Sequence, residues 1–496
     1  MSKLASRARI FTAKIRSPAP RGVLSTISPR SGSLEAIVTG RFKALQSEFR
    51  PLWKLAGPLI LAEIGWMSMS LVDTMMVGRL PASAEAMGAV SLGSVLFLTV
   101  GIFGGGLLLG LDTLVSQAFG AGKLEDCHRS LLNGVYLSLP LAAVLMGLVW
   151  SWVPLLRSWE IHPGVVEGAV PYLRALAWST FPLLLYFAFR RYLQAINLVK
   201  PVMFALISAN LVNLLCNWIL IFGHLGAPAL GVEGSGWATC ISRIYMSAVL
   251  LAAILLHDRR HRTGLFRTPL RPDLARIRRL VSLGLPAALQ LALEMAGFAV
   301  VTTLIATLDP ASLAGHQIAL SAASFTYMIP LGISSAAAVR VGQALGRRDP
   351  IAAGRSGWAA IALGAAFMSC AALAFLLLPE YIARIFTPDT SVIATGVSLL
   401  TVAALFQLCD GLQAVATGAL RGAADTHTPM LSHLLAYWFL GLPLGYFLCF
   451  ERGWGALGLW VGLCVALIVI GLVLLFAWQR KVRALTRPAP PGTDAL

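Results

Sequence analysis

Four carboxylates interrupt long apolar stretches of this 496-residue chain. Glu294 and Asp410 each sit in the middle of an apolar segment, and Asp73 and Glu63 share a third. A charged side chain in hydrocarbon costs about 2.5–3.5 kcal/mol, so Glu294 and Asp410 together would cost about 5–7 kcal/mol if they faced lipid. Such groups face a polar chamber or carry a proton or cation. A carboxylate that alternates between empty and ion-loaded forms changes charge by one unit, and that change can bias one conformation over another. No Lys or Arg lies at the depth of Glu294 or Asp410 in the same half, whereas Arg79 is close enough in sequence to pair with Asp73.

Amides accompany the acids. Asn210, Asn213 and Asn217, spaced by three and four, share one helical face. They could line a chamber or hold helices together by interhelical hydrogen bonds, and the spacing fits both. Gln317, next to His316, is expected near Glu294, with His316 itself packed. Asp112 reads as packing polarity or a gate contact, and Arg243 as a potential counter-charge for an acid of its own half. Hydrolytic and nucleotide chemistry find no support. Gly120-Ala121-Gly122-Lys123 is followed by Leu124 where a phosphate loop needs a hydroxyl, and H-E-x-x-H and G-x-S-x-G are absent. The seven cysteines show no paired spacing. No enzyme activity and no cofactor are expected.

The elements that position these residues follow from composition. Hydrophobic residues make up 57% and charged residues 12%, and mean hydropathy is +0.77, which excludes a soluble enzyme. At roughly 20 residues per span the chain holds about a dozen membrane helices. They are predicted at 52–78, 88–118, 130–154, 170–190, 201–223, 235–256, 281–307, 315–339, 355–378, 391–418, 430–450 and 455–478.

The net charge of +17 is confined to three polar stretches: a disordered tail 1–50, a linker 257–280 with eight arginines, and a tail 479–496. Arg190, Arg191, Lys200, Arg347, Arg348 and Arg355 are expected on the same side. This is the positive-inside pattern of an inner-membrane protein with both termini cytoplasmic. The charge therefore points to anionic lipid of the bilayer, with no nucleic-acid partner.

Landmarks recur at one offset. Pro58 and Pro286 are 228 apart, Gln117 and Gln343 are 226 apart, and Pro201 and Pro429 are 228 apart. An offset near 228 divides the chain into lobes of six helices, 51–256 and 281–478. An even number per lobe gives both the same orientation. The expected fold is an all-α integral membrane protein, with twelve transmembrane helices in two pseudo-symmetric six-helix bundles.

Over about residues 52–478 the sequence resembles the multidrug and toxic compound extrusion (MATE) family, in its bacterial NorM-like branch. The strings that carry the likeness are Leu71-Val72-Asp73-Thr74-Met75-Met76-Val77-Gly78, Ser116-Gln117-Ala118-Phe119-Gly120-Ala121-Gly122-Lys123, Leu291-Ala292-Leu293-Glu294, Gly315-His316-Gln317-Ile318-Ala319-Leu320 and Gly418-Ala419-Leu420-Arg421-Gly422. The resemblance implies a twelve-helix efflux antiporter that exports organic cations in exchange for H⁺ or Na⁺; alternating access fits both it and the residues, and the chain is expected to act as a monomer. The resemblance places cation coupling, including a Na⁺ site if sodium is used, at Glu294 and Asp410 with Gln317 nearby, and makes Asp73 the acid of the first lobe. Glu63 and the basic leader depart from that pattern. A lipid-linked precursor flippase is the nearest alternative, but it needs basic residues in the chamber. A membrane-embedded enzyme is the more distant one, and it needs a nucleophile or metal set.

Overall fold

The computed structural model describes residues 34–81, 83–158 and 162–487, which are mainly helical with no strand among them. Of the tail expected to be disordered over 1–50, residues 1–33 lie outside the described residues, and 34–50 are instead the first turns of a helix. The spans in order are α1 (Leu34–Val77, apolar from Glu48), α2 (Ser83–Gly120), α3 (Leu124–Ser158), α4 (Pro163–Trp178 and Thr180–Ala195), α5 (Val199–Phe222) and α6 (Val232–His261). The second lobe has α7 (Leu274–Ala306), α8 (Pro310–Gly346), α9 (Pro350–Leu377), α10 (Thr390–Gly422), α11 (His427–Glu451) and α12 (Ala456–Thr486). Among the described residues eleven are long and apolar enough singly, and α4, taken as one span across its 44° bend at Ser179, brings the number to twelve. A two-turn helix, Pro379–Phe386, joins α9 to α10.

The helices outrun their hydrophobic windows because capping, rather than hydropathy, sets their starts. Asp273, Asp309, Asp349 and Asp389 each accept backbone N–H bonds at the head of α7, α8, α9 and α10. Pro310 and Pro350 then occupy the first turn, where a missing N–H costs nothing. Pro58 and Pro286, which by sequence open their helices, instead lie inside α1 and α7.

Helix also extends into 257–280 from both sides, since α6 ends at His261 and α7 starts at Leu274. The connection is tied to α3. Thr263 O lies 3.2 Å from His128 Nε2, the Asp273 N–H donates to Asn133 Oδ1 at 2.8 Å, and Arg276 pairs with Asp126 at 2.9 Å.

There are two cores, each drawn mainly from one lobe, although Leu52 and Ile60 of α1 pack into that of the second lobe and Leu280 of α7 into that of the first. One centres on Tyr186, Leu184 and Leu173, and the other on Trp460, Trp478 and Tyr437. Val144, Leu211 and Phe476 are exposed on the outside of the bundle, as an apolar solvent allows. In the second core the Trp460 N–H donates to His316 Nδ1 at 3.0 Å, which leaves Nε2 to donate to Thr302 Oγ1 at 2.8 Å. His316 is thereby packed as a neutral ring with both nitrogens occupied.

Candidate functional site

In the second lobe, α7 carries Glu294 and α10 carries Asp410, both buried. Between them stands Gln413, one turn along α10 from Asp410 and on the same face. Its single amide nitrogen donates to Asp410 Oδ1 at 3.1 Å and to Glu294 Oε1 at 3.4 Å. No Lys or Arg pairs with either carboxylate among the described residues. The other oxygen of Glu294 is 3.7 Å from His433 Nε2 on α11. His433 Nδ1 donates to Pro429 O at 2.8 Å, so Nε2 of the neutral ring is an acceptor, met by the Gln290 amide at 3.4 Å. Tyr437 is buried with its hydroxyl unbonded, and Gln413 Oε1 is buried and unbonded too. The chamber thus offers two carboxylates, an amide oxygen and a phenol to a cation or proton.

The first lobe is built differently. Asp73 on α1 accepts from Asn217 Nδ2 at 2.6 Å and from Thr239 Oγ1 at 3.0 Å, and Asn217 also donates to Asn213 Oδ1 at 3.1 Å. Asp73 is a single acid held by neutral donors from α5 and α6, and Arg79 is not its partner. Arg243 lies on the same face of α6 as Thr239, one turn on, where it donates to Ser179 Oγ and sits 4.6 Å above the Phe97 ring. Near it, Tyr172 and Ser94 share a hydrogen bond of 2.8 Å.

Several residues expected at the site lie elsewhere. Glu63 is ion-paired and hydrogen-bonded to Arg190 in the interior of the first lobe, so its charge is already compensated. Arg190 and Arg191, expected among the basic residues of a loop, belong to α4, and Arg191 faces Asp112 at 3.5 Å. Asn210 donates to the backbone of Gly65 and Leu206, both at 2.9 Å, and joins α5 to α1. Gln317 is exposed, one position round α8 from buried His316. The amide that serves Glu294 is Gln413, which sequence reading overlooked together with His433, although the three-residue spacing from Asp410 was a usable signal.

Comparison with known proteins places this geometry in context. The MatE family model matches residues 58–219 and again 286–447, two copies displaced by 228. The chain is 36% identical over 453 residues to a probable multidrug resistance protein NorM of Mesorhizobium japonicum, covering 90% of this chain and 96% of that relative. It is 35% identical to the multidrug resistance protein PmpM of Pseudomonas aeruginosa, over 91% and 95% of the two chains. Among solved structures, the eukaryotic MATE transporter AtDTX14 superposes with a TM-score of 0.80 at 22% identity, covering 89% of this chain and 99% of that one. An outward-facing multidrug resistance MATE family transporter gives 0.78 at 18%, over 89% and 97%.

Proposed function

The chain belongs to the MatE family, and from that membership and the chemistry of its second lobe we infer that it is a secondary active efflux transporter, exporting organic cations in antiport with H⁺ or Na⁺. The observation that carries the reading is the Glu294–Asp410 pair sharing one amide N–H₂ with no fixed cation beside it. Two carboxylates buried side by side leave a charge deficit that an ion or a cationic solute relieves. Gln413 holds the empty pair apart with its nitrogen, and a bound cation would instead draw in its oxygen. Such a group exchanges one positive species for another, which is the physical content of antiport.

Each inward unit charge is worth about 2.3 kcal/mol per 100 mV, enough to move a solute against roughly a 50-fold gradient. Asp73 supplies a separate acid in the first lobe, where one carboxylate brings too few oxygen ligands for a metal ion, so a proton is its natural partner. The acidic chamber does not suit a lipid pyrophosphate. The basic linker 257–280 faces the cytoplasm of an inner membrane on this reading, with both termini on that side. The transporter acts as a monomer, without catalysis or resident cofactor.

The test is efflux of a fluorescent organic cation from everted vesicles under separately imposed proton and sodium gradients. Export driven by at least one gradient and lost in Glu294→Gln and Asp410→Asn is expected. Full gradient-driven export in both variants overturns the reading.

A further inference from the structure

The two lobes meet through a set of contacts that the duplication repeats. Gln117, at the end of α2, donates its amide to Gly422 O at the end of α10, at 3.1 Å. Gln343, at the end of α8, donates its amide to Ala195 O at the end of α4, at 2.8 Å. The donors are 226 residues apart and the acceptors 227, so the two bonds are one contact made twice, each reaching from one lobe into the other. The backbone beside them follows suit. A Cβ added at Gly120 would stand 2.1 Å from Gln343 O, and one added at Gly346 would stand 2.1 Å from Gln117 O. Deeper, Gly106 abuts Ala288 and Gly332 abuts Ile60, again at offsets of 226 and 228.

Asp112 adds an ion pair that has no counterpart in the repeat. Its carboxylate, fully buried, is 3.3 Å from Arg421 Nε of the other lobe and 3.5 Å from Arg191 of its own. Thr113 next to it donates to Arg421 O at 2.5 Å. These residues lie at the ends of α2, α4, α8 and α10, which come out on the side of the arginine-rich connection between the lobes. On α10, Asp410 lies about three turns before Arg421.

A salt bridge buried between rigid bodies is weak glue when intact, but opening it without solvent strands two charges. Hydrogen bonds from side-chain amides to opposing carbonyls share that property, fully at buried Gln343 and in part at half-buried Gln117, because a broken bond leaves its donor and acceptor unpaired. Such contacts make a closed state discrete rather than gradual. We propose that the paired amides of Gln117 and Gln343, together with the Asp112–Arg421 ion pair, form the gate that seals the pathway at the basic face and must release for solute to enter from that side. The proposal rests on the efflux reading for its purpose, but its test needs neither gradient nor solute.

Thr417→Cys, one turn of α10 before Arg421 and buried in the closed state, serves as the reporter. Its rate of modification by a membrane-impermeant maleimide is measured in everted and in right-side-out vesicles, with the chain lacking the reporter subtracted as background. With the reporter present, Asp112→Asn should raise labelling from the basic face by about tenfold or more, and Gln117→Ala with Gln343→Ala should raise it severalfold. Arg421→Lys, which keeps the charge, should stay nearer the parent. Rates from that face equal to the parent in both the Asp112 and the double-glutamine variants overturn the gate, as does a rise confined to the opposite face. The glutamine variant keeps the question answerable if the aspartate variant fails to fold. A parent chain that shows no gradient-driven export, with these labelling results intact, would count against carboxylate coupling and leave the gate standing.

Discussion

Glu63 and Glu294 are both glutamates buried in apolar helices, and neutralising each should move stability in opposite directions. Glu63 and Arg190 are 7% and 2% exposed and bonded to each other. Removing one partner of a buried pair leaves the other uncompensated, at about 3–5 kcal/mol. Glu63→Gln should therefore lower the melting temperature of the purified protein. Glu294 has the reverse setting. Its Oε1 and Asp410 Oδ1 both accept from one nitrogen, so they are no further apart than the 3.4 and 3.1 Å bonds laid end to end, 6.5 Å. With both carboxylates ionised and an effective dielectric of about 20, charges at that separation repel by at least about 2.5 kcal/mol. Glu294→Gln removes that repulsion and keeps the shape, so its melting temperature should hold or rise while coupled export is lost. The assay is thermal unfolding in detergent at neutral pH, paired with vesicle efflux for the same preparations. A Glu63→Gln protein that melts like wild type, or a Glu294→Gln protein that melts lower, would refute the assignment of the first glutamate to structure and the second to an uncompensated ion site.

Other perturbations separate roles in the same way. If sodium is the coupling ion, Asp410→Asn should weaken sodium-driven export more than Asp73→Asn does; if protons are, Asp73→Asn should be at least as damaging, and equal full activity of the two would contradict carboxylate coupling. His316→Ala should destabilise by about 2–4 kcal/mol, since it strands the Trp460 N–H and opens a cavity, with the ion preference of export unchanged; a changed ion preference in vesicle flux would return His316 to the site. A cysteine at exposed Arg271 in the connection should be modified by an impermeant thiol reagent only from the cytoplasmic face, and ready labelling of intact cells would invert the topology. The hydrogen bonds from Ser312 at the head of α8 hold the Asp309 carboxyl below its ordinary 3.8. The cap thus contributes stability that is present above that value and lost as the pH falls through the lower native one. Thermal unfolding of Asp309→Ala across acidic pH should show a smaller difference from wild type at the acid end than at neutrality.

The duplication, the run of apolar spans and the presence of two acids, Glu294 and Asp410, inside them were legible in the chain itself. The reason is that a bilayer imposes its thickness on every helix and makes each buried charge conspicuous against an apolar background. Partnership was not legible in the same way. Whether Glu63 meets a chamber or an arginine depends on Arg190, 127 positions away on another helix, and no local pattern ties the two. Gln317 and Gln413 look alike as sequence, yet the rotation of α8 turns one out and the packing of α10 against α7 sets the other between two acids. The gate was half visible, in the offset that matches Gln117 to Gln343, but the carbonyls that receive their amides sit on opposing lobes. A hydrogen bond from a side-chain amide to a carbonyl that the sequence does not place beside it exists only after the tertiary fold has brought the two within 3 Å or so of each other.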